Sequence, residues 1–236
     1  MKKILLASAA LVAVSSTSAM AEVWAELGAS GGYYSEPDFD YNSKAGWIWG
    51  QFLVRLPNGF SMDLGGQVGR AYPNMGPDST FASINADLFY ATSRFAAGIY
   101  LGAFRNDLDY RSAYYGIQGV AFLSRADIGA WVGTETNGPD DDTYNLGAYL
   151  AYYLNPNTAL GVELWGEGTE FWDKHAINLF VEHRFTRPFS IWADAEWGHY
   201  SEPGFSFDSW EANIGVTWFL DPPGTTLQEH YHVMPF

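Results

Sequence analysis

Apolar and polar residues alternate one for one along most of the chain, in segments of about ten to twelve residues. That period of two belongs to strands with two unlike faces, and helical spacing fits none of the segments. Twelve such segments are predicted: 23–34, 45–56, 60–70, 80–91, 94–104, 112–123, 126–135, 143–154, 158–167, 175–185, 189–200 and 209–220. In the last, Trp210, Ala212, Ile214, Val216, Trp218 and Leu220 share one face, while Glu211, Asn213, Gly215 and Thr217 share the other. In 143–154, Tyr144, Leu146, Ala148, Leu150, Tyr152 and Leu154 oppose Asn145, Gly147, Tyr149, Ala151 and Tyr153. Glycine recurs inside these segments, which disfavours helix and suits a bending sheet.

The connections sharpen the picture. After even-numbered segments the turns are tight: Pro57-Asn58-Gly59, Thr92-Ser93, Ser124-Arg125, Asn155-Pro156-Asn157 and Thr186-Arg187-Pro188. After odd-numbered segments longer, acidic loops are expected, carrying Glu36, Asp38 and Asp40; Asp78; Asp107 and Asp109; Asp140, Asp141 and Asp142; Glu170 and Asp173; and Glu202 and Asp208. Short turns on one rim and long loops on the other describe a bacterial outer-membrane barrel with periplasmic turns and extracellular loops. About eleven residues at 3.3 Å each, tilted about 45°, rise some 26 Å, the height of the apolar band of such barrels. Trp24, Phe60, Tyr90, Phe95, Tyr144, Tyr152, Phe185, Phe189, Trp210 and Trp218 stand near segment ends, where an aromatic girdle meets the membrane interface. The expected fold is therefore all-β: a transmembrane, antiparallel, up-and-down barrel of about twelve strands over residues 22–220. In lipid such a sheet must close, because every backbone N–H and C=O needs a partner.

The ends of the chain read differently. Met1-Lys2-Lys3, the apolar run Ile4 to Val14, and Ser18-Ala19-Met20-Ala21 have the form of a secretory signal peptide cut before Glu22. Residues 221–236 are expected to be a periplasmic C-terminal tail. Of the 236 residues, 12 are Lys or Arg and 27 are Asp or Glu, a net charge of −15. Removal of residues 1–21 takes Lys2 and Lys3 with it, leaving −17. Such a chain has no basic face for nucleic acid. Aromatics make up 17% of it, far too many for a disordered polymer. With no cysteine it has no disulfide framework, thiolate metal site or cysteine nucleophile.

Asn213-Ile214-Gly215-Val216-Thr217-Trp218-Phe219-Leu220 follows the pattern polar, any, Gly, two of any, aromatic, any, apolar. On these residues the chain resembles small Gram-negative outer-membrane β-barrel proteins of the porin-like kind. The resemblance implies that Asn213, Gly215, Trp218 and Leu220 form the signal read by the barrel-assembly machinery. It also implies outer-membrane lipid and lipopolysaccharide as surroundings. The class usually ends in Phe at the strand itself. Here a tail follows, with Pro222-Pro223 and Pro235 breaking any simple strand before Phe236.

The same alternation assigns the inner face. Glu26, Asp63, Asp87, Glu163, Glu182, Asp194, Glu196 and Glu211 are expected to face the lumen, opposed by Arg55, Arg94 and Arg184 and joined by Gln51, Gln67, Asn85, Gln118, Asn145, Asn178 and Asn213. Charge on the lipid side would be costly, so these side chains must meet water or each other. A narrow passive channel for small polar or cationic solutes follows as the functional expectation. A self-filled, non-conducting structural or adhesive barrel is the alternative, since eight-stranded barrels fill themselves and much larger ones stay open. A lipid-modifying rim enzyme is a third reading. It would use His175 or His199 with Ser201 or Ser209, but no nucleophile motif surrounds them. No catalytic residue, metal ligand or cofactor is assigned. Asp140-Asp141-Asp142 lacks the ligand spacing of a calcium loop, and His230-Tyr231-His232 lacks further ligands. Finally, Tyr34-Ser35-Glu36-Pro37-Asp38-Phe39 matches Tyr200-Ser201-Glu202-Pro203-Gly204-Phe205 in the first and last long loops. The repeat reads either as a clamp built on Glu36 and Glu202 or as a shared turn design.

Overall fold

In the computed structural model, residues 22–136, 142–169, 172–185, 188–221 and 225–233 are described. The expected signal peptide, Asp140, Asp141, Glu170, Arg187, Pro222-Pro223, Pro235 and Phe236 lie outside them. Twelve strands form: β1 (Glu22–Glu36), β2 (Tyr41–Arg55), β3 (Phe60–Pro73), β4 (Ser79–Ala91), β5 (Phe95–Asn106), β6 (Arg111–Phe122), β7 (Ala126–Thr136), β8 (Asp142–Asn155), β9 (Thr158–Gly168), β10 (Asp173–Arg184), β11 (Phe189–Glu202) and β12 (Phe205–Phe219). Each pairs antiparallel with its neighbours in sequence, and β12 pairs with β1 to close the barrel. Closure leaves no sheet edge, as a lipid environment demands. The twelve-stranded closed barrel is the fold predicted from the alternation.

Leu27, Ile48, Ile84, Leu101, Leu146, Leu179 and Ile214 are all more than half exposed, on the same parity in their strands. In a water-soluble protein so broad an apolar exterior would drive aggregation; around a closed barrel it is the lipid-facing surface. Nine of the ten girdle aromatics lie exposed on that exterior, among them Tyr144, Trp210 and Trp218. Trp24 does not. It is buried on the inner face, in a cluster with Leu53, Phe89, Ala91, Ala96, Val120 and Phe122.

The strands outrun the predicted segments mainly at the rim of acidic loops. β2 begins at Tyr41, β10 at Asp173 and β12 at Phe205, and β11 runs on to Glu202. Much of what was expected to be loop is therefore paired strand, and β11 passes to β12 through Pro203-Gly204 alone, with Gly204 at φ +87°. The apolar alternation stops where the sheet leaves the membrane band, but backbone pairing continues into water. That is why hydrophobic pattern underestimates the hairpins. Some acidic residues serve the turns themselves. Asp107 accepts hydrogen bonds from the Thr80 N–H (2.8 Å) and Ser79 Oγ (3.1 Å), and these hold its pKa below the usual carboxylate value.

The two copies of the repeated loop meet at the closing seam. Phe39, in the 3-10 turn Pro37–Phe39, lies 5.5 Å from Phe205 and 5.1 Å from Phe207, ring centre to ring centre. The Tyr34 hydroxyl donates to Glu36 at 2.6 Å, and Tyr200 bonds Glu202 in the same way. Each glutamate is thus engaged by the tyrosine two residues before it, although the turns that follow differ, a 3-10 turn in the first copy and Pro203-Gly204 alone in the second.

Past β12 the tail is not a free appendage. It forms one short helix, α1 (Leu227–Val233). Thr226 caps its start: Glu229 Oε2 accepts from Thr226 N–H (2.8 Å), and the Glu229 N–H donates to Thr226 Oγ1 (3.2 Å). Leu227 and His230 are fully buried.

Candidate functional site

The site is the bore of the barrel, and α1 forms its floor. His230 Nε2 lies 2.8 Å from Glu26 Oε2 on β1, and His232 Nε2 lies 3.1 Å from Asp127 Oδ1 on β7. In a ring of twelve strands β1 and β7 are opposite walls, so the helix crosses the bore. Between them the Tyr231 hydroxyl donates to Glu182 on β10. Leu227 N–H donates to Asn157 Oδ1 (3.2 Å) and Gln228 Nε2 to the Ser124 carbonyl (3.2 Å), both at the short-turn rim. Apolar contacts complete the seat: Val233 packs on the Trp24 cluster, and Leu227 and Tyr231 on Tyr153, Ala159 and Phe219.

The connection into the helix is anchored by charge. Arg184 donates two parallel hydrogen bonds to Asp221, 2.8 and 2.9 Å, with both side chains almost wholly buried. Its guanidinium also lies over the Phe219 ring. Burial pushes the Asp221 pKa up, but His230 and Arg184 more than reverse this and hold it at about 2. Burial likewise pulls His230 down, yet Asp221 and Glu26 reverse that and its pKa is raised. His230 Nδ1 is 3.4 Å from Asp221, near enough for charge attraction but without a well-formed hydrogen bond.

The eight carboxylates expected in the lumen, and Arg184 with them, lie on the inward parity, whereas Arg94 is exposed in the turn between β4 and β5. Near the floor, Asp63 stands directly opposite Asp87 across β3 and β4. Gln51 donates to Asp63, and Gln118 donates to Asp87 at 2.7 Å. Glu182 accepts from Ser190 and Tyr231. Higher up, Asn213 donates to Asp194 (3.1 Å) and Glu211 (2.9 Å). The Trp165 indole N–H donates to Glu196 at 2.9 Å. Glu163 lines the cavity described next, whereas Arg184 belongs to the helix anchor. Of the residues expected to form an assembly signal, Trp218 and Leu220 are exposed on the exterior and Asn213 is inside. Gly215 lies beneath the Trp192 ring, where a Cβ would come within 2.5 Å.

Above α1 the bore opens into a cavity of about 720 Å³. Its walls carry Tyr100, Tyr114, Trp131, Tyr149, Trp165 and Phe180. Asp87, Asp127, Glu135, Glu163 and Glu167 stand among them. Tyr100 OH donates to Asn145 at 3.1 Å, and Tyr153 OH to Asp127 at 2.6 Å. The rings lie flat across small neighbours: a Cβ at Gly147 would meet Trp131 at 2.1 Å, and one at Gly129 would meet Tyr149 at the same distance. Sequence reasoning took eight carboxylates of the inner face but passed over Asp127, Glu135 and Glu167, the aromatics among them and Lys174. The alternation that found Glu163 places Trp165 and Glu167 beside it.

Among the described residues no cluster of three or more His, Asp or Glu side chains could hold a metal ion. His175 and His199 are paired across β10 and β11 on the outward parity, and His199 Nδ1 lies 2.7 Å from Asp208. Ser209 is buried on the inward parity. The rim therefore sets its histidines and this serine on opposite faces.

No protein-family model matches the sequence, and no curated protein resembles it closely enough to count as a relative. Solved structures do share its shape. The COG4313 outer membrane channel from Pseudomonas putida F1 superposes with a TM-score of 0.67 at 10% identity, over 84% of this chain and 96% of that one. The KdgM porin in complex with disordered oligogalacturonate gives 0.58 at 15% identity, over 82% and 98%. The NanC porin gives 0.53 at 11%, over 81% and 98%. At these identities the likeness is one of fold: the chain has the barrel fold of outer-membrane porins and channels.

Proposed function

We propose that the protein sits in an outer membrane as a narrow passive channel for small polar or cationic solutes, with α1 closing its periplasmic mouth at rest. The observation that carries this reading is the inner face: a closed barrel, apolar outside, surrounds a cavity of about 720 Å³ whose lining has five carboxylates and no Lys or Arg. Low-dielectric walls focus the field of such charges, concentrating cations and repelling anions. Oligogalacturonate, the ligand in the KdgM complex, is a polyanion, so the sign of this lumen argues against carrying that substrate class over. Outer-membrane lipid and lipopolysaccharide are the proposed surroundings. Asn213, Gly215, Trp218 and Leu220 are the proposed assembly signal.

The seated helix favours a second reading, a barrel that stays shut and serves a structural or adhesive role. Planar-bilayer recording separates the two. Chains ending at Asp221 keep the partner of Arg184 but lose α1. The channel reading expects these to conduct cations more readily than the full chain, with a reversal potential of cation-selective sign. Silence from both chains supports the closed barrel.

A further inference from the structure

We infer that the central cavity is a binding site for an organic ammonium cation; this deepens the channel reading and rests on it only for the route by which the ligand enters. Strand β9 presents Glu163, Trp165 and Glu167 at alternate positions, so that an indole stands between two carboxylates on one face. Tyr149 and Phe180 on the neighbouring strands β8 and β10, and Trp131 one strand further on in β7, widen the aromatic surface around them. Aromatic faces attract cations through the ring quadrupole, most strongly where water is excluded. The volume suits a small organic molecule.

The barrel already holds one ammonium in this manner. Lys174, opposite Glu167 on β10, places Nζ 4.3 Å from the centre of the Trp165 ring and 3.4 Å from Glu196 Oε1. This tethered group shows the subsite in use: indole below, carboxylate beside. The rest of the cavity repeats the ingredients without supplying a cation, since neither Lys nor Arg lines it. A bare metal ion is a poor match, because hard cations need converging oxygens and the described residues offer no such cluster. Spread-out carboxylates separated by rings suit diffuse charge wrapped in methyl or methylene groups.

The test is calorimetric titration of the detergent-solubilised full-length protein, using choline as the probe. The controls are 3,3-dimethylbutan-1-ol, its uncharged isostere, and methyl glucoside. Saturable choline binding is expected, about tenfold tighter than either control. Lys174→Met, which frees the Trp165 face and Glu196, is expected to tighten choline binding. Trp165→Leu added to Lys174→Met is expected to weaken it about tenfold relative to Lys174→Met alone. Controls that bind as well as choline, or a double variant with the affinity of Lys174→Met, overturn the site. Binding without conductance would sink the channel reading and leave the site standing. Conductance without choline binding would do the reverse.

Discussion

Two ion pairs show how much position decides at the scale of single residues. Arg70 and Asp78 meet at 3.0 Å with both side chains about half exposed, and such a surface pair contributes only about 0–1 kcal/mol. Arg184 and Asp221 meet at similar distance in the protein's interior. Removing one partner there strands a buried charge, at a cost of about 3–5 kcal/mol. Asp221→Asn is therefore expected to lower the urea midpoint of the lipid-reconstituted barrel clearly, and Asp78→Asn hardly at all. Glycines offer a second contrast. Gly147→Ala drives a methyl into the Trp131 ring and is expected to cost about 1–3 kcal/mol. Gly31→Ala meets nothing nearer than the Ala45 carbonyl at 3.5 Å and should be near neutral by the same measurement.

The strands and the helix differ in how far they could be read beforehand. Twelve strands were legible because lipid outside and water inside impose opposite chemistry on successive residues. Their outer ends were not, since paired backbone such as Ser35-Glu36 and Tyr41-Asn42-Ser43-Lys44 carries no apolar alternation. Trp24 was misplaced because its position near a strand end suits the girdle; its parity, shared with Glu26, sets it on the inner face, where His230 lies 6.0 Å from its ring. Helix α1, with seven residues, is too short to leave a periodic signature. Its seat should respond to pH. Undocked, His230 titrates near 6.5; docked, its pKa is raised. Its charge therefore stabilises docking fully below about pH 6.5, and that contribution is lost as pH rises through the docked value. Asp221, docked at about 2, contributes fully above about pH 4 and loses its effect on further acidification. The helix should hold best between about pH 4 and 6.5 and release in alkali. Single-channel open probability is expected to rise as the pH is raised above about 6.5, and His230→Ala should abolish most of that dependence.

The whole molecule sorts charge by depth as well as by face. Arg184 sits with the helix anchor, Lys174 against Trp165, and the carboxylates spread along the bore between floor and rim. Ion selectivity should therefore arise from the lumen field and not from any single ligand. Glu163→Gln combined with Glu167→Gln is expected to lower the cation-to-anion permeability ratio of the chain ending at Asp221. Raising the salt from about 0.1 M to about 1 M, which shortens the Debye length from about 10 Å to about 3 Å, should have a similar effect. A ratio indifferent to both would show that the carboxylates do not govern permeation.

The helix's two outermost anchors, Glu26 and Asp127, belong to the first and seventh strands. Their spacing is set only when the final strand zips against the first. The stopper's socket is thus a product of completed closure. If the barrel conducts as proposed, each newly inserted molecule leaks until α1 has docked, and a cell making it must tolerate that interval or delay insertion until the tail is free to follow.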